Sequence, residues 1–237
     1  MSIWNWEGFF SYFTNGYLLG GVVVTLGLTA ATLVIGFALA MGLVLCRLSG
    51  IRILSGFAAG YVWLFRGTPL LVQLIIIYTG LPQLGFVRLS VVESALLGLA
   101  LNEAAYLSEI LRGGILSIGQ GQRDASHALG LNRTKTFLLI VMPQALRVCL
   151  PALGNSVNGL LKTTSIASVI SMEELLRRGQ ILMQQRFEVL EVFIVIAILY
   201  LTMTSAWDLV QKRIERYFGK PYAAQAIKEK VLARDAR

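Results

Sequence analysis

From Gly8 to Cys46 the chain carries no charged side chain. About 20 apolar residues suffice for a helix to cross the hydrocarbon core of a bilayer, so this run is long enough to span. Backbone groups in lipid find no water, and each N–H and C=O must be paired within the segment, so a run of this kind is expected to be helical. A large soluble protein with buried helices would need polar stripes that these runs lack. The rest of the chain agrees: 14% of its residues are charged, against about 25% in soluble domains, and its mean hydropathy is +0.68.

Five apolar runs fit membrane spans, about Leu18–Cys46, Ile53–Thr79 with a break at Pro69, Leu89–Leu111, Ala145–Leu161 with an extension toward Val169, and Leu190–Leu209. This predicts an all-α polytopic membrane protein in one domain over residues 1–237, with a loop at 113–144 and a tail at 212–237. The segment before the first span holds no Lys or Arg, whereas Lys212, Arg213, Arg216, Lys220, Lys228, Lys230, Arg234 and Arg237 follow the last. The positive-inside tendency then puts the N-terminus out and the C-terminus in the cytoplasm. Trp4, Trp6, Tyr12 and Tyr17 are expected at the outer interface, where amphipathic rings are favoured. Arg177, Arg178 and Arg186 fall outside, against the tendency, with Glu173, Glu174, Glu188 and Glu191 near enough to neutralise them in an external helix.

The formal charge of +8 follows from the same asymmetry; no aromatic-basic interleaving or polar domain points to nucleic acid. Cys46 and Cys149 have neither metal nor redox spacing, and a lone histidine, His127, excludes a clustered-His metal site. No cofactor is expected. The first dozen residues lack a basic region ahead of a short apolar core, so the first span is expected to be retained.

The loop at 113–144 is a polar, helix-compatible stretch in an otherwise apolar chain. Asp124 to Leu129 reads as a short helix with an acidic residue in its first turn, Gly130 as a left-handed terminator, and Pro143 as the opening of the next helix or a break. Asp124-Ala125-Ser126, Gly130, Ile140 and Pro143 match in spacing the "EAA" loop of ABC-transporter permeases, which reads E-A-A, three residues, G, nine residues, I-x-L-P. Asp124, Ser126 and Met142 depart from that pattern in residue type. The stretches 65–73 (FRGTPLLVQ), 105–115 (AYLSEILRGGI), 143–147 (PQALR) and 161–166 (LKTTSI) look like further motifs of polar amino-acid permeases. The chain thus resembles that family over most of its length.

The resemblance implies a type I importer fold of five membrane helices with a cytoplasmic coupling helix, in the bacterial inner membrane. It implies a second permease chain, identical or homologous, a cytoplasmic dimer of ATP-binding subunits, an external solute-binding protein, and amino-acid cargo. The chain itself has no Gly-x-x-x-x-Gly-Lys-Ser/Thr sequence, so ATP hydrolysis is expected in the partner. Asp124, Ala125, Ser126, His127 and Gly130 become the candidate coupling residues, with Ala125 and Ser126 small enough to pack against the ATPase.

Charged residues at membrane depth are costly and mark interiors or water-filled paths. Arg66 lies beside the Pro69 break, and Gln73 would face a cavity if the break opens one. Lys162 suits a substrate carboxylate, with Thr163 and Thr164 as neutral partners; equally, it could pair with Glu103 or snorkel. Glu103 is a further pathway candidate. Glu109 and Arg112, three apart, are expected to pair on one face. Alternatives are a permease for an opine or cystine-like compound, an intramembrane enzyme, and a self-contained channel. The enzyme would need a nucleophile-base pair or metal ligands, and the channel has no use for a docking loop.

Overall fold

The computed structural model describes the backbone of residues 4–235 and the side chains of residues 4–218. Among the described residues there is no strand.

A short helix α1 (Trp6–Phe13) precedes α2 (Gly16–Leu48), whose N-cap Asn15 accepts from Tyr17 N at 2.9 Å and Leu18 N at 3.2 Å. At 1.5 Å per residue α2 is about 50 Å long, well beyond the hydrocarbon thickness. Helix α3 (Arg52–Gly67) and α4 (Leu70–Gln83) follow, bent by 103° at the break between them. Helix α5 (Val91–Leu116) opens with a capping box in which Ser90 and Glu93 each accept the other's backbone N–H. The remaining helices are α6 (Gln120–Ala128), α7 (Arg133–Ile170), α8 (Leu175–Arg186) and α9 (Val189–Asp235).

By length and apolarity α2, α7 and α9 can each cross a membrane, and the bent pair α3–α4 makes a fourth if it is one span. The third predicted run, now α5, is long but less apolar, because it carries Glu93, Asn102, Glu103, Glu109 and Arg112. It is the central helix instead: α2, α3, α4 and α7 all pack on it. Asn102 and Glu103 are thereby turned toward protein, while Glu93 at its first turn stays exposed and Val23, Val34, Ile53 and Trp63 stand exposed on the outer helices.

The main core joins α2, α5 and α7 through Ala40, Val44, Leu107, Leu111, Ile115, Val141, Ala145 and Cys149. Gly114 makes that approach possible, since a Cβ there would lie 2.1 Å from Cys149 Sγ and 3.1 Å from Ala145 O. Two expectations change. The helix expected to open at Pro143 already runs from Arg133, with a wide π turn over Thr136–Val141 just before the residue that lacks an N–H. The tail set apart at 212–237 is not separate but continues α9 to Asp235; the side chains of Lys220, Lys228, Lys230 and Arg234, and all of Arg237, lie outside the described residues.

Among the described residues the arginines of α8 form no ion pair with the nearby glutamates. Arg178 lies over the Tyr17 ring at 4.8 Å and donates to Tyr17 O at 2.8 Å, and Arg186 lies over Tyr12 at 5.5 Å. The carboxylates serve backbone, amide and hydroxyl donors. Glu174, fully buried, caps α8 by accepting from Leu176 N at 3.0 Å and Arg177 N at 2.9 Å, and accepts from Tyr200 Oη at 2.7 Å. Glu188 accepts from Asn5 Nδ2 at 2.6 Å and from the Tyr12 hydroxyl, and Glu191 accepts from Asn5 N at 2.9 Å, which pins α1 to the start of α9. Burial pushes the Glu174 carboxyl up, while the Tyr12 hydrogen bond holds Glu188 down. Tyr12 is itself pushed up to about 12, chiefly by burial.

Candidate functional site

The Pro69 break builds the first site. Proline disfavours a helical conformation in the residue before it, and Thr68 is extended at φ −120°, ψ 146°. The carbonyls at the end of α3 therefore lose their helical donors. Gln73 supplies replacements: its Nε2 lies 3.0 Å from Phe65 O, 3.2 Å from Thr68 O and 2.8 Å from Thr68 Oγ1. Asn102 Nδ2 donates to Phe65 O at 3.1 Å and to Gln73 Oε1 at 3.0 Å, which ties the break to α5. Gln73 is thus a buried brace and does not face the cavity, contrary to expectation. The amide that mends the break is consumed by it.

A cleft of about 710 Å³ opens beside the brace, between the break, α5 and α7. Arg66, Asn102, Glu103, Tyr106, Ser156 and Thr163 line it. The Arg66 guanidinium lies over the Tyr106 ring at 5.3 Å. Glu103 is 8% exposed and accepts from the Ser156 hydroxyl. It has no cationic partner: the ion pair found among the described residues is Glu109–Arg112, held by two hydrogen bonds of 3.0 and 2.8 Å. A basic group, a carboxylate and several amides and hydroxyls thus share one cavity, and its size is within the range of small-molecule sites.

Arg66, Glu103 and Thr163 meet here as the sequence suggested. Lys162 does not. It is exposed on the neighbouring sector of α7, in a separate groove of about 430 Å³ with Ser165, Tyr200 and Thr204, and it makes no pair with Glu103. One residue is about 100° of helix, so Lys162 and Thr163 face different spaces. Thr164 is fully buried and its hydroxyl donates to Leu161 O at 2.9 Å, so it lines neither space. Sequence reasoning missed Asn155, Ser156 and Tyr106. The spacing Asn155, Gly159, Thr163 was the available signal, a polar or small residue every fourth position along an otherwise apolar helix.

The second site is α6. It starts four residues before Asp124, so that residue is not in the first turn; its carboxylate accepts from Gln120 Nε2 at 2.9 Å. Ser126 is 3% exposed, with its hydroxyl 2.7 Å from Arg123 O and 3.1 Å from Thr136 Oγ1. It fastens α6 to α7 and is not on the outer surface expected for it. Asp124, Ala125 and His127 are exposed, and Leu129 is 82% exposed. His127 Nδ1 lies 3.0 Å from Leu131 O. Gly130 ends the helix at φ 78°, with Gly130 N donating to His127 O at 2.9 Å and Leu131 N to Ser126 O at 3.0 Å. A Cβ at Gly130 would meet nothing within 4 Å, so the need for glycine is purely one of backbone conformation.

Residues 33–220 match the family described as "Binding-protein-dependent transport system inner membrane component". The chain is 34% identical over 226 residues to the probable amino-acid permease protein YxeN of Bacillus subtilis, covering 94% of this chain and 99% of the relative. It is 43% identical over 196 residues to the nopaline transport system permease protein NocM of Agrobacterium fabrum, covering 79% and 81%. In three dimensions it is similar to a chain in a crystal structure of an amino acid ABC transporter with histidines, with a TM-score of 0.84 and 33% identity over 92% of this chain and 100% of that one. The bent span, the cleft beside it and the short helix closed by Gly130 are therefore features of a transport subunit: the chain belongs to the binding-protein-dependent transport system inner membrane component family, the permeases of ABC importers.

Proposed function

We propose that the chain carries a polar amino acid across the bacterial inner membrane, as one of two permease chains driven by a dimer of cytoplasmic ATP-binding subunits and supplied by an external solute-binding protein. The observation that carries the cargo is the cleft: Arg66 suits a carboxylate, Glu103 suits an ammonium or guanidinium group, and Asn102, Ser156 and Thr163 suit neutral polar atoms. A zwitterion presents those charges together. The amino-acid relatives support the same cargo. In this reading α5 is a fifth span, the N-terminus lies outside, and α6 is the coupling helix, with Asp124, Ala125 and His127 toward the ATPase, Ser126 toward α7, and Gly130 turning the chain back to the membrane.

An opine is the second cargo to consider, since the nopaline permease is 43% identical and a cleft of about 710 Å³ has room for more than a single amino acid. The test is ATP-driven uptake by proteoliposomes containing this chain with its ATP-binding subunits, second permease and binding protein. Labelled arginine, glutamine, glutamate, cystine and nopaline would compete. Saturable uptake of one amino acid is expected; uptake of nopaline alone selects the second cargo, and ATP hydrolysis with no uptake of any overturns the reading.

A further inference from the structure

From Gly8 to Val92 the chain has no Asp or Glu, yet that stretch carries Arg47, Arg52, Arg66 and Arg88. Arg66 lines the cleft, and Arg88 falls in the loop ahead of α5. Arg47 and Arg52 share the elbow between α2 and α3. Arg47 is in the last turn of α2, Arg52 opens α3, and Gly50 at φ 73° turns the chain between them. Arg47 is half-buried and Arg52 exposed, and neither forms an ion pair among the described residues. Glu109 on α5 is within electrostatic reach of Arg47, but its two oxygens accept from Arg112 at 3.0 and 2.8 Å. Large apolar side chains flank this charge along both helices. Leu45, Leu48 and Ile51 are exposed on the approach, Ile53 is 83% exposed, and Phe57, one turn further along α3, is 66% exposed.

Such a surface suits neither water alone nor lipid tails alone. Ile53 and Phe57 are best covered by hydrocarbon, whereas two guanidinium groups without a carboxylate call for an anion. Arginine holds phosphate oxygens through its planar fork of donors, and basic pockets between membrane helices take anionic headgroups. A dissolved phosphate ion would leave the apolar side chains bare; a phospholipid covers both. We propose that the α2–α3 elbow binds an anionic phospholipid, with Arg47 and Arg52 on its headgroup and Ile53 and Phe57 along an acyl chain. The contact needs only that the two helices meet at a membrane surface. The orientation proposed above makes this the inner surface, where anionic lipids attract basic segments. Helices α2 and α3 both pack on α5, so a lipid held at the elbow bears on the helix that borders the cleft.

Lipid retention tests it. The assembled transporter is purified in detergent, delipidated, and titrated with phosphatidylglycerol or with phosphatidylcholine of the same acyl chains, and bound lipid is counted by native mass spectrometry. Phosphatidylglycerol is expected to bind about tenfold more tightly. Arg47→Gln with Arg52→Gln should abolish the preference, Arg47→Lys with Arg52→Lys should keep part of it, and Arg88→Gln should leave it whole. Ile53→Ser with Phe57→Ser should weaken both lipids alike. No preference in the unsubstituted transporter overturns the site, and so does a preference that survives the double glutamine change intact. Loss of the ATP-binding subunits from that variant with lipid binding unchanged would make the elbow a protein contact instead. Two checks need no variant. High salt should erase the preference by screening the arginines, whereas inorganic phosphate at constant ionic strength should not displace the lipid; displacement would make the site one for the free ion and overturn the lipid. Retention is read without transport, so the site stands or falls apart from the cargo, which ATP-driven uptake tests.

Discussion

Of the three glutamates buried among the described residues, Glu174 and Glu103 have opposite surroundings. Glu174, at the start of α8, is fully enclosed and accepts from two backbone N–H groups and the Tyr200 hydroxyl. Glu103, midway along α5, accepts from the Ser156 hydroxyl and otherwise borders a cleft. A carboxylate has about four acceptor positions, so the first is nearly saturated by its own chain and the second is largely unused. A saturated buried acid fixes structure, whereas an unsaturated one beside open space is available to a ligand. The difference separates a latch, holding the α8 helix against α9, from a group left open to the proposed cargo.

Breaking the comparison at Glu103 should have the largest effect. A hydrogen bond to a charged group contributes about 1.5–3 kcal/mol, so Glu103→Gln should lower uptake about tenfold to a hundredfold, with the amount of folded complex unchanged. Undiminished uptake would remove Glu103 from the site. At Glu174 the sign reverses: Glu174→Ala strands buried donors at a cost of about 1–3 kcal/mol, seen as a lower melting temperature, while transport per folded molecule persists. Glu174→Gln keeps an acceptor and should lose less. If the alanine variant melted normally but failed to transport, the latch would be the wrong description.

Gly130 lies outside both acids and tests the coupling end. Placing a β-carbon at φ 78° costs about 1–2 kcal/mol of backbone strain, and Gly130→Val should leave ATP hydrolysis running while uptake falls severalfold. Normal uptake would end the proposed coupling role of α6. The smallest effect concerns pH. Glu188 is held down in the folded protein, so its contribution is complete above the unfolded carboxylate value of about 4.3 and is lost as pH falls through the folded value. Glu174 is pushed up, so its ionisation disfavours the fold as pH rises through that raised value. Melting curves against pH should therefore flatten on the acid side in Tyr12→Phe and at higher pH in Glu174→Gln. Identical profiles in both variants would show that neither group governs acid stability.

Much of this was readable in the residues. The run from Gly8 to Cys46, the Pro69 break and Gly130 each report a local requirement: apolar solvent, a missing donor, a left-handed backbone. Lys162 and Gln73 misled because both are polar groups in apolar runs, and nothing local tells which way such a group points. Gln73 turned inward to mend the helix break, and Lys162 lay one helical step from the cleft that takes Thr163. Ser126 was small for the sake of Thr136, ten residues on, not for an external partner.

The sequence by itself determined the solvent, the helices and the family, because transfer to lipid and turn chemistry act residue by residue along the chain. Only the tertiary structure decided which acid is free. Whether a carboxylate is satisfied depends on donors that arrive from distant positions: Tyr200 for Glu174, 26 residues away, and Ser156 for Glu103, 53 residues away. Those meetings are set by how α5, α7, α8 and α9 pack together, where glycines such as Gly114 let backbones approach, and no local pattern encodes them.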